Sequence, residues 1–366
     1  MIRSYESATP HDGTKGTTTM NLERWSTRSP LDTGFSARWS DAVGRAPLAN
    51  FSMLFDCVRF EAQCGRHSLL VLAEQEQRLM AIVLRESAGE LHSGWPWRWQ
   101  AVFCDADSPD ELAPSPCEAA LLFRAAQAAS DGVRLRIHLP ADPDMRTPGF
   151  RTGATIVQRL DVSDEELLES MDPNKRRLLR RATREGLTVR TADGGADYRA
   201  YATLDREAAR LRGATPTPEV PDPAPGEDWR EWEHPWMRLF VAEREGHAEG
   251  YLGDGFSPGA LVDGRAAVST PEGRKSGVMS LLCHHEARTF RNEGHRWFNH
   301  GGDTTFKREV SGELGRRLVM FSWLGGGRRH ELANRASALY HRSRPTLAGW
   351  VRAANRSFAK VDRHNP

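Results

Sequence analysis

Apolar and polar residues fall into short alternating runs and longer runs at helical spacing, in an order that occurs twice along the chain. Val133-Arg134-Leu135-Arg136-Ile137-His138 alternates strictly, as a half-buried strand does when successive side chains point to opposite faces. Residues 67–73 and 78–85 also read as strands, split by the charged turn Glu74-Gln75-Glu76-Gln77, and 95–104 and 155–160 add two more. Residues 35–44 form a short helix. Pro116 opens another through 130, because an early helical position tolerates a missing N–H. The second half runs in the same order. A short helix, 164–171, precedes Asp172 and Pro173, an N-cap and first-turn proline that open the helix 174–185, which Gly186 closes. A strand at 187–190, a helix at 198–212 and an irregular loop rich in proline and acid at 214–228 follow. Next come a hairpin, 238–243 with 248–252, around Gly246, a strand at 261–269, a strong helix at 277–293 and a strand at 296–299. A last strand, 317–324, and two helices, 328–341 and 346–358, finish the chain. The doubled order points to a duplicated α/β domain, although no repeat is visible residue by residue.

The bulk numbers narrow the class. At 366 residues the chain is long enough for two domains, each with its own core. A 39% hydrophobic and 27% charged composition is that of a globular protein, and no apolar run approaches the roughly 18 residues that cross a bilayer. Residues 1–29 are rich in Thr, Ser and Gly and lack an apolar core, so they read as a disordered tail rather than a signal peptide. Five cysteines, odd in number and not at zinc spacing, read as reduced thiols in a cytoplasm. A net charge of +1 argues against a general nucleic-acid coat, and neither DNA nor a membrane is expected as a partner. The tryptophan groups at 95, 97, 99 and 229, 232, 236 suit a core or an aromatic wall.

Three segments carry candidate chemistry. In Phe298-Asn299-His300-Gly301-Gly302-Asp303-Thr304-Thr305-Phe306-Lys307-Arg308 a strand enters a glycine pair, then a helix start, then a lysine one turn in. Adjacent glycines let backbone approach a ligand closely, and a helix start aims N–H groups at an anion or polarised carbonyl. His300 and Asp303 could exchange protons there. The second segment is the helix 174–185, where Arg177, Arg180, Arg181 and Arg184 share one face and only Glu185 offsets them locally. Such a face calls for phosphates or for acids elsewhere in the fold. The third, Gly273-Arg274-Lys275-Ser276-Gly277-Val278-Met279, is a basic turn at a helix N-terminus, suited to phosphate but without the order of a P-loop. Cys283-His284-His285 does not make a metal site, since adjacent ligands on a helix point apart, and no nucleophile-elbow, zincin or dinucleotide motif is present.

Together these segments resemble the GNAT superfamily of acyltransferases, and within it the FemAB-like and cellulose-biosynthesis-protein-like group with two GNAT-like domains in tandem. The resemblance covers residues 36–325. It rests on the arginine-rich helix through Gly186, the strand after it, the helix that ends at Gly294, and the strand, glycine turn and Phe306-Lys307 pair. It implies an α/β (α+β) fold. Residues 35–162 and a catalytic 163–325 would each form a mixed, mainly antiparallel sheet flanked by helices, between a tail at 1–34 and a helical extension at 326–366. It implies amide formation from an activated acyl or aminoacyl group and an amine, with no permanently bound cofactor. Lys307 would stabilise the negative charge of the transfer step, helped by N–H groups near Gly302 to Thr304. His300, Asp303 or water would take the proton. Arg177, Arg180, Arg181, Arg274 and Lys275 would hold phosphates, and Gly277 would mark the pyrophosphate turn. Phe306 and Trp297 would wall the donor site. Coenzyme A-dependent members carry Arg/Gln-x-x-Gly-x-Gly/Ala at that turn, whereas here Met279 stands last. The expected donor is therefore aminoacyl-tRNA, with acyl-coenzyme A or an acyl carrier protein as the alternative and a small-molecule amine as acceptor. A non-catalytic RNA- or nucleotide-binding module on the same scaffold is the reading from another class.

Overall fold

The computed structural model describes residues 3–5, 20–75, 77–94, 97–104, 112–141, 150–211, 232–257 and 261–325. The first half holds β1 (Arg3–Tyr5), β2 (Met20–Ser26), α1 (Thr33–Arg45), α2 (Phe55–Gln63), β3 (Ser68–Gln75), β4 (Arg78–Ser87), β5 (Glu90–Ser93), β6 (Ala101–Phe103), α3 (Pro116–Ala129), β7 (Arg134–Ala141) and β8 (Phe150–Arg159). The second holds α4 (Asp164–Ser170), α5 (Pro173–Arg184), β9 (Thr188–Thr191), α6 (Gly195–Leu211), β10 (Met237–Arg244), β11 (His247–Gly255) and β12 (Leu261–Ser269). It continues through α7 (Pro271–Ser276), α8 (Val278–Asn292), β13 (Trp297–Asn299), α9 (Thr305–Ser311) and β14 (Gly315–Gly325). Local rules explain many of the boundaries. Ser163 and Glu166 cap α4 reciprocally, and the Asp172 carboxylate accepts the Asn174 N–H at 2.8 Å ahead of Pro173 in α5.

All these strands join one 14-stranded sheet in the order β1-β2-β3-β4-β5-β7-β14-β8-β13-β12-β11-β10-β9, with β6 beside β4. The doubling seen in the sequence is a structural repeat. Each half lays down a strand, a helical segment, three antiparallel strands and a helix, then a strand parallel to the third: β7 beside β5, and β13 beside β12. The halves are joined through exchanged strands. β8 pairs with β13 of the second half, β14 pairs with β7 of the first, and the two pair with each other.

This arrangement corrects the expected domain limits. Residues 20–26 are not tail: Met20, Leu22 and Trp25 are buried, and β2 pairs along β3 as the strand that opens the first repeat. The boundary expected at 162 and 163 cuts a continuous sheet. Hydrophobic periodicity shows that a strand exists but not which neighbour it will choose, so the exchange was not legible. The expected strand 95–104 shortens to β6, while β5, only four residues long, was missed. The expected helices 328–341 and 346–358 and the loop 214–228 lie outside the described residues.

The cores sit on both faces of the sheet. Behind β13, Trp297 packs with Trp39, Trp99 and Leu261; in front, Phe298 packs with Val278, Leu282 and Phe290 of α8. Each such fully buried apolar side chain contributes roughly 1.5–3 kcal/mol, enough to hold α8 firmly against the strands it spans. Among the described residues no helix is long and apolar enough to cross a membrane.

Candidate active site

Parallel strands β12 and β13 pair only at Leu261–Trp297, Val262–Phe298 and Asp263–Asn299. Beyond that point β12 runs on to Ser269 while β13 turns away, so the sheet splays open. Buried side chains hold the junction: Asn299 Nδ2 donates to Asp263 Oδ1 at 2.8 Å, and Arg98 Nε lies 3.2 Å from Asp263 Oδ2. On the other side of β12 the register slips. Gly253 of β11 faces Ala266 and Asp254 faces Gly264, which leaves Arg265 as the extra residue of a bulge. Bulge and splay coincide at a cleft of about 780 Å³. Gly264 to Ser269, α8, Lys175 and Leu178 of α5, and Phe298, His300, Gly301, Phe306 and Lys307 line it.

The glycine pair turns the chain at the mouth. Gly301 and Gly302 have φ of +66° and +95°, and a Cβ on Gly301 would stand 3.1 Å from the Gly264 carbonyl oxygen. Thr304 caps α9 by accepting the Lys307 N–H at 3.3 Å. The Lys307 side chain folds back so that Nζ donates to the Gly301 carbonyl. Burial pushes the Lys307 pKa down, while Cys283 and Glu286 oppose the shift.

The same turn corrects several expected roles. The Gly302 N–H donates to Thr155 Oγ1 at 3.2 Å and the Gly301 N–H to Asn299 Oδ1 at 3.1 Å, so neither is left to face an oxyanion. Thr304 spends its hydroxyl on the helix cap. Asp303 does not line the cleft; it ion-pairs with Arg308 at 2.8 Å and Arg317 at 2.6 Å. His300 does line it, but its Nε2 sits 2.9 Å from Gln158 Oε1, and burial, aided by the Lys307 charge, lowers its pKa to about 3. It is thus a neutral ring with little affinity for a proton at neutral pH.

That burial has a pH signature. Unfolded histidine takes up its proton below its ordinary pKa of 6.5, whereas folded His300 does so only near 3. The stability it contributes is present above 6.5 and is lost as pH falls toward 3. Urea unfolding should therefore show wild type losing about 2 kcal/mol more than His300→Gln between about pH 7.5 and about pH 5. Equal losses would mean that the folded ring is protonated as easily as the unfolded one.

The arginine face and the basic turn separate. Arg177, Arg180 and Arg184 of α5 border a shallow surface depression on the solvent side, and Arg181 pairs with Glu185 at 2.6 Å. The cleft instead meets Lys175, whose Nζ lies 4.8 Å from the centre of the Phe306 ring, and Leu178. Residues 271–276 are a helix, α7, and not an open turn; Arg274 reaches the cleft, and exposed Lys275 does not. Gly277 lines the cleft at φ +88°, and a Cβ there would stand 2.7 Å from the Leu178 carbonyl oxygen, so α5 lies across the start of α8. Trp297 is buried behind the sheet. Its neighbour Phe298 takes the cleft side, as the two-residue period requires.

The floor holds residues that sequence reasoning missed. Asp254 and Glu286 are 0% and 1% exposed and line the cleft with Cys283. The two carboxyls hydrogen-bond to each other, and among the described residues no donor of another residue reaches Asp254 Oδ1 or Oδ2 or Glu286 Oε2. Burial pushes both carboxyls well above the ordinary range, and the charge of Asp254 pushes Glu286 further. A signal did exist: Glu286 interrupts the apolar stripe of α8 between Leu282, Cys283 and Phe290. Asp254 was hidden because the expected strand ended at 252, whereas β11 runs to Gly255.

Two structural repeats, strand exchange through the middle of one sheet, and a cleft where β12 and β13 part make up a fold shared with FemX. The chain superposes on FemX with a TM-score of 0.60 at 11% identity, over 85% of this chain and 100% of that one. A conserved protein of unknown function from Bacteroides thetaiotaomicron gives 0.50 at 9% identity, over 80% and 97%. A tandem GNAT protein from the clavulanic acid biosynthesis pathway gives 0.45 at 15% identity, over 84% and 99%. No protein-family model and no curated protein sequence matches the chain.

Proposed function

We propose that this protein is an N-acyltransferase that joins an activated acyl or aminoacyl group to an amine in the β12–β13 cleft. The observation that carries this reading is the coincidence of the splay, the β12 bulge and Lys307 at one cleft. A splayed sheet offers an acyl group the strand edge that β13 no longer covers. The Lys307 ammonium has three donors and gives one to Gly301, which leaves two for the oxyanion of a tetrahedral intermediate. In a half-buried setting that charge is worth more than in water.

For the donor we propose aminoacyl-tRNA. In coenzyme A-dependent GNAT proteins the segment equivalent to residues 274–279 receives a pyrophosphate. Here residues 274–276 belong to α7, Gly277 breaks to the start of α8 and Met279 stands last, and a Cβ on Gly277 would stand 2.7 Å from the Leu178 carbonyl oxygen, so α5 closes over this turn. The arginines of α5 face away from the cleft and suit a long polyanion that reaches around the helix better than a cofactor seated inside it. One observation favours the alternative, an acyl-coenzyme A or acyl carrier protein donor: Arg274 does line the cleft. The test supplies the enzyme and an alkylamine with charged tRNA or with acyl-coenzyme A, each with and without RNase. Amide formation from charged tRNA that RNase abolishes is the expected result. Formation from the thioester that survives RNase would replace the tRNA reading with the alternative.

A further inference from the structure

Acyl transfer needs an amine that has lost its proton, and His300 and Asp303 do not receive it. We propose that Asp254 and Glu286 form the acceptor site, binding the ammonium group of a primary alkylamine and taking its proton; this rests on the acyl-transfer reading of the cleft. Buried carboxyl oxygens without partners cost stability, and a fold keeps them where a ligand supplies the missing donors. Asp254 Oδ1 and Oδ2 and Glu286 Oε2 receive no donor from any other described residue, and the one contact between the two carboxyls leaves oxygens over to accept the N–H donors of a primary ammonium. Leu252, Val268 and Phe298 flank this floor with apolar surface suited to the methylene chain that leads to the ammonium.

The surrounding charges fit the task. Arg238 of β10 draws Asp254 toward ionisation, Asp263 of β12 opposes it, and Cys283 of α8 and Lys307 of α9 act on Glu286. When two such acids share one proton they carry one negative charge between them, and burial beside a second carboxyl raises their proton affinity. Such a pair attracts an ammonium and is basic enough to deprotonate it. In the reaction the ammonium gives one proton to the pair, and the nitrogen lone pair forms the C–N bond while the carbonyl π electrons move to oxygen beside Lys307. On collapse the bond to the leaving oxygen of the donor breaks with its electrons. That oxygen takes the second nitrogen proton, and the pair releases the first to solvent.

The test uses Asp254→Asn and Glu286→Gln in the full chain. With butylamine, protonated at neutral pH, either variant should lower kcat/KM by about a hundredfold. With hydroxylamine, which is already neutral there, the loss should stay under about tenfold, because no proton has to be removed before attack. Equal losses with both amines, or a loss accompanied by a lower thermal midpoint, would mark the pair as structural and overturn the proposal. Calorimetry of butylammonium without any donor reads the site independently of turnover. Binding at least about tenfold weaker in the double variant is expected, and equal affinity, or no binding to wild type, overturns it. Ammonium binding that depends on the pair, in a protein that makes no amide from either donor, would instead retire the acyl-transfer reading and leave the amine site standing.

Discussion

Lys307→Ala should lower kcat for amide formation by about 10²- to 10³-fold, the range for losing one donor to a transition-state oxyanion, while KM for the donor moves by no more than about threefold. The structure separates this loss from a folding defect. α9 is capped through the Lys307 backbone N–H and the Thr304 hydroxyl, and Ser311 Oγ donates to the Lys307 carbonyl at 2.8 Å; none of these contacts uses the lysine side chain. Alanine is also a good helix former. Arginine should not restore activity, because the Nζ position against the Gly301 carbonyl is half-buried and cannot take a planar guanidinium without moving the glycine turn. Single-turnover rates with saturating donor measure the effect. Retained turnover with a weakened, salt-sensitive affinity for RNA would instead favour the non-catalytic binding module.

Gly312→Ala should cost about 3 kcal/mol of stability, measured by urea unfolding, through backbone strain and a steric clash together. Gly312 joins α9 to β14 at φ +51° and ψ −134°. An added Cβ would fall 1.5 Å from the carbonyl oxygen of Ser170 at the end of α4. The clashing atom is backbone, so a rotamer change cannot relieve it. The only relief is to shift α9 or α4, and α9 carries Lys307. The variant should therefore lose activity with its stability, whereas Lys307→Ala should lose activity alone. A change under about 1 kcal/mol would mean that the α4–α9 contact yields more easily than close packing allows.

Much of the fold was legible because it depends on neighbours in sequence. The alternation at 133–138 became β7, the cap and proline at 172 and 173 opened α5, and the doubled order of elements proved to be a structural repeat. The glycine turn was legible for a similar reason: left-handed backbone demands glycine, and Gly301 and Gly302 both adopt it. The arginine helix shows where local reading stops. Spacing gave its faces correctly, but only packing against α8 turned Lys175 and Leu178 toward the cleft and Arg177 and Arg180 away from it.

The sequence by itself therefore determined the elements, the tandem plan and Lys307 at its turn, because periodicity, capping and glycine backbone act over a few residues. Tertiary structure alone decided which strands cross between the halves, that Trp297 faces a core while Phe298 faces the cleft, and that His300 is buried and neutral. It also brought Asp254 and Glu286 to one dry floor from a strand and a helix 32 positions apart in number. Burial and proximity set the proton affinity of a carboxyl, and both are properties of the packed chain rather than of any segment of it.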